Sequence, residues 1–311
     1  HWCQTRLIMD LKSKIILISG PTASGKSTFA TNLAKKINGE IINADSMQVY
    51  KQFKILTARP TLKEQKNIKH HLYGFLSIKN SFSSGQWLKL ASKKIKEIQK
   101  RNKTPILVGG TGLYFKILID GLVKIPKISK EKRNKIINLQ KKIGQNNFYK
   151  KLIKIDPNAR ELINLNDFQR SIRAYEVKYF TNKSLTEWYK ETKPIFRREN
   201  FVKIYLDCPK DLLFKRIKMR AKKMIPLGLI EVKKLKKIKI PQGNSSNKII
   251  GYSELRNLLA KRVNTNQTID LIATKTRQYA KRQATWARGQ MKDWKFLSTS
   301  NTKISLKKLL N

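Results

Sequence analysis

Acidic side chains are scarce in this chain. Its 311 residues carry 20 Asp and Glu against 68 Lys and Arg, a formal net charge of +48. That imbalance makes a polyanion, nucleic acid first, the expected partner. The excess is spread along the chain and not confined to a tail, so part of it is a general compositional habit that favours Lys, Ile and Asn. Cysteine is almost absent. Cys3 and Cys208 stand far apart, which excludes a disulfide framework and zinc-ligand spacing and leads us to expect a reduced, cytoplasmic setting. His70 and His71 are adjacent and lack further ligands, so they read as structural or substrate-contacting. No apolar run reaches membrane-spanning length, so no membrane partner is expected. His1–Ile8 does not resemble a signal peptide, and Met9 is a more natural start. Residues 1–11 are therefore read as extra sequence outside the fold. There are no internal repeats.

The apolar fraction, 40%, is ordinary, and the length suffices for one large domain or two unequal ones. The most informative stretch is Ile15-Ile16-Leu17-Ile18-Ser19 followed by Gly20-Pro21-Thr22-Ala23-Ser24-Gly25-Lys26-Ser27. A buried strand leads into the Gly-x-x-x-x-Gly-Lys-Ser pattern of ATP-binding proteins, and a helix-forming segment runs to Ile37, with Gly39 where a helix would end. Gly20 and Gly25 permit backbone angles that turn successive amides toward an anion. The helix contributes its positive end, Lys26 a full charge, and the Ser27 hydroxyl a ligand for magnesium. The pattern predicts a diphosphate-like ligand.

Glu40 to Ala44 reads as a second strand, ending at Asp45-Ser46-Met47-Gln48-Val49-Tyr50. Ligands of open α/β sheets sit beyond the carboxyl ends of strands, which brings Asp45 near the phosphate loop as a magnesium ligand or proton acceptor. The alternative for Asp45 is a helix cap. Thr57-Ala58-Arg59-Pro60 is a loop before a polar helix, and Ser84 is a candidate cap for a helix reaching Ile98. Pro105 to Gly110 is a buried strand that ends at Thr111, where a nucleotide triphosphatase would be expected to carry Asp; simple ATP hydrolysis is thereby disfavoured.

Between 120 and 199 the strand patterns vanish and helix starts multiply: Ser129, Asp156-Pro157, Asp167, and the capping box Ser184–Glu187. This reads as an all-helical insertion into a discontinuous core domain of residues 12–119 and 200–311. On its third helix Gln169, Arg170 and Arg173 offer a face suited to phosphates and bases, or else a merely solvated one. The strand pattern returns at Phe201–Leu206. Arg216 and Arg220 then share a helix face that could aim at phosphates. A basic run, Lys233–Lys239, precedes a loop over Pro241–Asn247 and a short helix from Ser253. The last long helix runs from about Ile269 to Arg288, with Ile272, Tyr279 and Trp286 on one side and Arg277, Lys281 and Arg288 on another. The Lys-rich carboxyl tail is expected to fray.

Assembled, these residues make the chain similar to the bacterial-type tRNA dimethylallyltransferases, or isopentenyl-tRNA transferases, from about Ile15 to Trp294. The segments that carry the resemblance are Gly20–Ser27, Asp45–Lys51, Thr57–Pro60, His70-His71-Leu72, Val108–Tyr114 and Thr276–Gln283. It implies a phosphate-loop parallel α/β core flanked by helices, with the helical insertion binding tRNA. It implies transfer of a dimethylallyl group from dimethylallyl diphosphate to N6 of adenosine 37, just 3′ of the anticodon, in tRNAs that read U-starting codons. The products are N6-isopentenyladenosine and diphosphate, and Mg2+ assists. Asp45 matches the carboxylate that accepts the N6 proton, and Thr111 the threonine near the bridging oxygen. Gly20, Pro21, Thr22, Ala23, Ser24, Gly25, Lys26, Ser27 and Arg220 match the diphosphate contacts, Ser27 being also the metal contact. Asp45, Ser46, Met47, Gln48, Thr111, Arg133, Gln169, Arg170, Ser171, Ile172 and Arg173 match positions that meet the tRNA anticodon stem-loop. The family's eukaryotic zinc finger is excluded by the cysteine count. A monomer is expected. Two other readings are a phosphate-loop kinase of a small metabolite, signalled by ATP consumption without tRNA, and a non-catalytic tRNA binder or tRNA-binding ATPase, which leaves Asp45 and Thr111 without a role.

Overall fold

Four isoleucine and leucine side chains in five residues make Ile15–Ser19 (β1) a strand buried on both faces. A strand of that kind needs covered neighbours on either side, which is how all-parallel sheets are built. The computed structural model describes residues 11, 13–241, 243–300 and 309. In it β1 is joined by β2 (Gly39–Asn43), β3 (His70–His71), β4 (Thr104–Gly109), β5 (Phe201–Asp207) and β6 (Lys295–Ser298). The six strands form one sheet in the order β3-β2-β4-β1-β5-β6, and every pairing is parallel. β1 sits centrally, with Ser19 opposite Gly109 on one side and Tyr205 on the other.

The helices follow in chain order: α1 (Lys26–Ile37), α2 (Leu62–Gln65), α3 (Ser84–Lys100), α4 (Gly112–Asp120), α5 (Lys130–Ile155), α6 (Ala159–Leu162), α7 (Phe168–Thr181), α8 (Leu185–Lys190), α9 (Lys210–Lys234), α10 (Tyr252–Leu259) and α11 (Thr265–Gln290). Their starts are set by side chains that accept from free amides of the first turn. Ser83, Thr61, Ser184 and Asn264 each complete a reciprocal box with a Gln or Glu three residues on. Ser129 and Asp167 cap α5 and α7. Each such cap stabilises its helix by about 1 kcal/mol.

Several expectations need correction. The cap of α3 is Ser83, not Ser84, because Ser83 has the extended backbone from which its hydroxyl reaches Gln86 N. α1 ends on Asn38 in the left-handed region (φ 54°), and Gly39 opens β2. A Cβ on Gly39 would lie 2.6 Å from Ile106 Cδ1, so glycine there serves the close approach of β4. Asp156 terminates α5 and does not start the following helix; its carbonyl accepts from Ala159 N. α11 begins at Thr265, four residues before the expected start, because Asn264 supplies the cap. Its buried seam is Ile272, Ala273, Ala280 and Ala287, while Tyr279 and Trp286 are only half-buried. Leu11, assigned to the extra segment, is 5% exposed and packs with Ile16 and Phe29 in the core. The reading of residues 1–10 and of the carboxyl tail, and the path at Gln242, lie outside the described residues.

The chain divides into two units, 1–119 with 195–311, and 120–194. In the first, one apolar cluster built on Ile15, Leu17, Trp87 and Phe115 and another on Ile16, Ile18, Phe29 and Leu33 cover the two faces of the sheet. Burying each such side chain contributes about 1.5–3 kcal/mol. A third cluster joins α9, α10 and α11 to Tyr50, Phe53 and Leu56. The second unit holds α5 to α8 around Phe148, Leu152 and Tyr175. Its ends approach closely: a Cβ on Gly121 (φ 92°) would meet Lys193 O at 2.7 Å. The insertion closes at 194, five residues before the expected 199, since Phe196 belongs to the first unit and stacks edge-on against Phe201.

Candidate active site at the carboxyl ends of the strands

Three loops meet where β1, β2 and β4 end: 20–25, 44–48 and 109–111. The approach is possible because β4 ends in glycine. A Cβ on Gly109 would fall 2.0 Å from Ala44 O, and Thr111 N donates to that same carbonyl at 3.2 Å.

The first loop follows β1. Gly20 is required for space, since its Cβ would lie 2.7 Å from Leu206 O. The left-handed positions are Ala23 (φ 66°) and Gly25 (φ 93°). A non-glycine residue held there is strained, and such strain persists where surroundings over-determine the backbone, as in ligand clamps. Gly25 caps α1 without any side-chain hydrogen bond, so the first amides of the helix remain available. Lys26 Nζ donates to Pro21 O at 3.1 Å and curls over the loop. Burial lowers its pKa to about 8; Asp45 pulls it upward and Arg220 pushes it further down. Two arginines of α9 reach the same loop. Arg220 donates to Thr22 Oγ1 at 3.1 Å, and Arg216 to Ser24 O at 3.2 Å. Burial depresses the Arg220 pKa, with Asp45 and Glu64 opposing. A loop with a lysine and a guanidinium both pressed toward their neutral forms gains from an anion, which would relieve both.

The second loop begins at Asp45. No helix follows it, so the capping alternative is excluded. Its Oδ1 accepts from Met47 N at 2.9 Å, and its backbone N–H donates to Asn43 Oδ1 at 2.8 Å. Asn43 is itself fixed, donating to Asp45 O and Leu72 O while its carbonyl accepts from Trp87 Nε1 at 2.8 Å. The carboxylate is thus aimed by a buried, fully bonded asparagine. Its field reaches Tyr73, Tyr114 and Tyr279, whose hydroxyls burial first, and then Asp45, hold neutral far above the usual range. Ser46 N donates to Thr111 Oγ1 at 3.0 Å, and the Thr111 hydroxyl faces Ser46 Oγ at 3.3 Å. Gln48 spends its amide nitrogen on Thr57 O and Ala58 O. That loop is held from the other side by Glu231, whose carboxylate accepts from Lys54, Ile55 and Leu56 N–H.

Gly20 to Ser27, Asp45 to Gln48, Thr111 and Arg220 are therefore brought together. Gln283 of α11 also enters this site, although its role was not singled out: it bonds Thr22 N and Gly110 O. Its signal in the sequence was only its place within the Thr276–Gln283 segment.

The remaining candidates lie in the second unit. Gln169, Arg170 and Arg133 are exposed there and Arg173 is half-exposed. Ser171 and Ile172 point inward, at 0% and 9% exposure, and offer no side chain to a surface ligand. Sequence reasoning missed Glu176, a buried carboxylate that pairs with Arg173 at 3.0 Å and lies 3.9 Å from Arg133 Nε. Arg170 pairs with Asp167. His71 turns out structural, pairing with Glu40 at 2.7 Å, while His70 bonds Ile68 O.

Among the described residues no cluster of three or more His, Cys, Asp or Glu could hold a metal, and no helix is long and apolar enough to cross a membrane. A metal here would need hard oxygen donors. The Ser27 hydroxyl at the start of α1 is one, and phosphate oxygens and water would supply the rest, as magnesium prefers.

Comparison with known proteins agrees with this geometry. Residues 48–290 match the model of the family described as IPP transferase. The tRNA dimethylallyltransferase of Pelagibacter ubique is 57% identical over 287 residues, 92% of this chain and 92% of that one. That of Rickettsia massiliae is 44% identical over 91% of this chain and 78% of its own length. Among solved structures, the full-length tRNA isopentenylpyrophosphate transferase of Bacillus halodurans superposes with a TM-score of 0.69 at 34% identity, covering 96% of this chain and 95% of that one. A eukaryotic dimethylallyltransferase solved acting on tRNA gives a TM-score of 0.79 at 29% identity, over 94% of this chain and 75% of its own. The parallel sheet, the anion-ready loop and this similarity across nearly the whole length lead to one conclusion: the chain belongs to the tRNA dimethylallyltransferase (IPP transferase) family.

Proposed function

We propose that this protein transfers a dimethylallyl group from dimethylallyl diphosphate to N6 of adenosine 37 in tRNAs reading U-starting codons. The observation that carries the reading is one carboxylate, Asp45, on a loop bonded to Thr111 through Ser46 N at 3.0 Å, its charge felt by Lys26 and Arg220 of the phosphate-loop site. An adenine amine is a weak nucleophile, because its lone pair is delocalised into the ring. The allylic carbon compensates by tolerating positive charge. The N6–C1 bond forms, the C1–O bond breaks, the electron pair leaves with diphosphate, and the N6 proton passes to Asp45.

The leaving diphosphate is the group that gathers charge. Lys26, Arg220 and the free amides at the start of α1 would stabilise it, in a site where such donors are already oriented. The Ser27 hydroxyl would help hold magnesium, which would supply further neutralisation of the leaving group. Thr111 would sit close to the breaking bond, its hydroxyl oriented by Ser46. The adenine must leave its stack to arrive, at a cost of a few kcal/mol. Lys and Arg of the helical insertion, Arg133, Arg170 and Arg173 among them, would offset that cost by gripping the anticodon stem-loop. The enzyme works as a cytoplasmic monomer in this reading.

The decisive assay incubates the protein with labelled dimethylallyl diphosphate, magnesium and unmodified tRNA. Label on tRNA is the expected result. No label together with ATP turnover would favour the kinase reading; tRNA binding with neither would favour the plain binder.

A further inference from the structure

The phosphate loop and the Thr111 turn stand at the ends of adjacent strands, but the last β1–β4 pair is Ser19 with Gly109. Beyond it no sheet ladder ties them. The tie is a side chain from a helix much later in the chain. Gln283 Oε1 accepts from Thr22 N at 2.9 Å, and Gln283 Nε2 donates to Gly110 O at 3.0 Å. One amide group thus uses its acceptor on one loop and its donor on the other.

The surroundings are shaped for this bridge. A Cβ on Gly110 would fall 2.0 Å from Gln283 Nε2, so only glycine admits the amide. Three residues along α11, the Trp286 ring fills the space of the missing Gly112 side chain, 2.2–2.7 Å from where its Cβ would be. Four residues earlier, Tyr279 brings a buried neutral hydroxyl into the field of Asp45. Positions 279, 283 and 286 form one stripe of a helix. α11 therefore lies along both loops as a spacer.

We propose that Gln283 is a positioning residue that sets the separation between the diphosphate loop and the Thr111 turn, and so between the leaving group and the hydroxyl beside the breaking bond. The proposal rests on the reaction given above. The bridge also withholds the Thr22 amide from the anion, so the diphosphate is left to the other loop amides, Lys26 and Arg220. The neutral side chain matters. A glutamate could accept from Thr22 N but could not donate to Gly110 O, and it would bring a negative charge to the loop that must hold diphosphate. Because misplacement by an ångström can cost about 100-fold in rate, loss of the bridge should appear in turnover more than in binding.

The test compares Q283M, Q283E and G110A with the wild-type protein in kcat, KM for dimethylallyl diphosphate, tRNA affinity, melting temperature and exchange of the Thr22 amide hydrogen. Q283M keeps the length and loses both bonds. Its kcat should fall by about ten- to 100-fold, with KM and tRNA affinity within about twofold and with faster Thr22 exchange. Q283E should lose turnover and also raise KM. G110A, which displaces the amide from the opposite side, should reproduce Q283M and serves if Q283M does not fold. Wild-type kcat in Q283M, or a loss matched by the loss of folded protein, overturns the proposal. Unchanged Thr22 exchange overturns the bridge whatever the reaction. Faster exchange in a protein whose wild type transfers no prenyl group would overturn the reaction instead, and with it the positioning role.

Discussion

Two carboxylates stand at opposite ends of β2, five residues apart, and meet opposite fates. Glu40, near the strand's start, is 1% exposed and ringed by His71 Nε2 at 2.7 Å, Arg101 Nη2 at 2.7 Å and Lys103 Nζ at 3.2 Å. Burial alone would raise its pKa, but the bonds from His71, Lys103 and Arg101 outweigh that and bring it down to about 2. Asp45, just past the strand's end, is half-exposed, gives one oxygen to Met47 N, and acts on Lys26 and Arg220 through space. A buried carboxylate ringed by three basic side chains holds structure. One left partly engaged beside cations can still take a proton or a ligand. In this sheet the amino ends are closed for stability and the carboxyl ends kept open for chemistry.

Substitutions at the two positions should separate cleanly. Asp45→Asn should lower kcat by about 100- to 10,000-fold, the range for a lost general base, while tRNA affinity and melting temperature stay near wild type. A parallel loss of tRNA affinity in a binding titration would make Asp45 a contact and not a base. Glu40→Ala should do the reverse: about 1–3 kcal/mol less stable in urea unfolding, because Arg101, Lys103 and the His71 ring lose a buried partner, with normal turnover per folded molecule. Low turnover in correctly folded Glu40→Ala would erase the distinction.

The pH dependence sharpens it. Glu40 is depressed in the folded state, so its contribution to stability is complete above its ordinary pKa near 4.5 and is lost as pH falls toward about 2. Glu40→Gln should flatten the acid limb of a stability curve in that window. Lys26 is lowered from 10.5 to about 8, so its charge costs stability below pH 8, and that cost is relieved as pH rises from about 8 to 10.5. Diphosphate needs the charged form, so its affinity for the loop should weaken as pH passes about 8. Lys26→Met should remove that dependence, weaken diphosphate binding at neutral pH, and raise stability there. Calorimetric titration with diphosphate at pH 7 and pH 9 checks the sign. The smallest effect concerns the second unit: Arg173→Ala should reduce the salt slope of tRNA binding by about 1, and an unchanged slope would remove that contact.

Chemistry close together in sequence was legible, and chemistry assembled from afar was not. The run Ile15–Ser27 announces strand, loop and helix because all three are local, and Asp45 and Thr111 are found by asking where strands end. The Glu40 cluster joins residues 31 to 63 positions apart through side chains that periodicity does not register. β3 has two residues and β6 four, too short to show alternation among so many lysines. Gln283 reads as one more polar residue on a helix, and only the missing side chain at Gly110 reveals what it reaches. Ser171 and Ile172 turn their side chains inward because a five-residue motif on a helix must turn part of itself to the core.

The most direct measurement is mass spectrometry of nucleosides from unmodified tRNA incubated with dimethylallyl diphosphate and magnesium, with wild-type protein and Asp45→Asn side by side. The account predicts one adenosine per reactive tRNA heavier by a C5H8 unit with the wild type, and almost none with the variant in the same time. Unmodified adenosine with the wild type, or equal modification by both proteins, would contradict it.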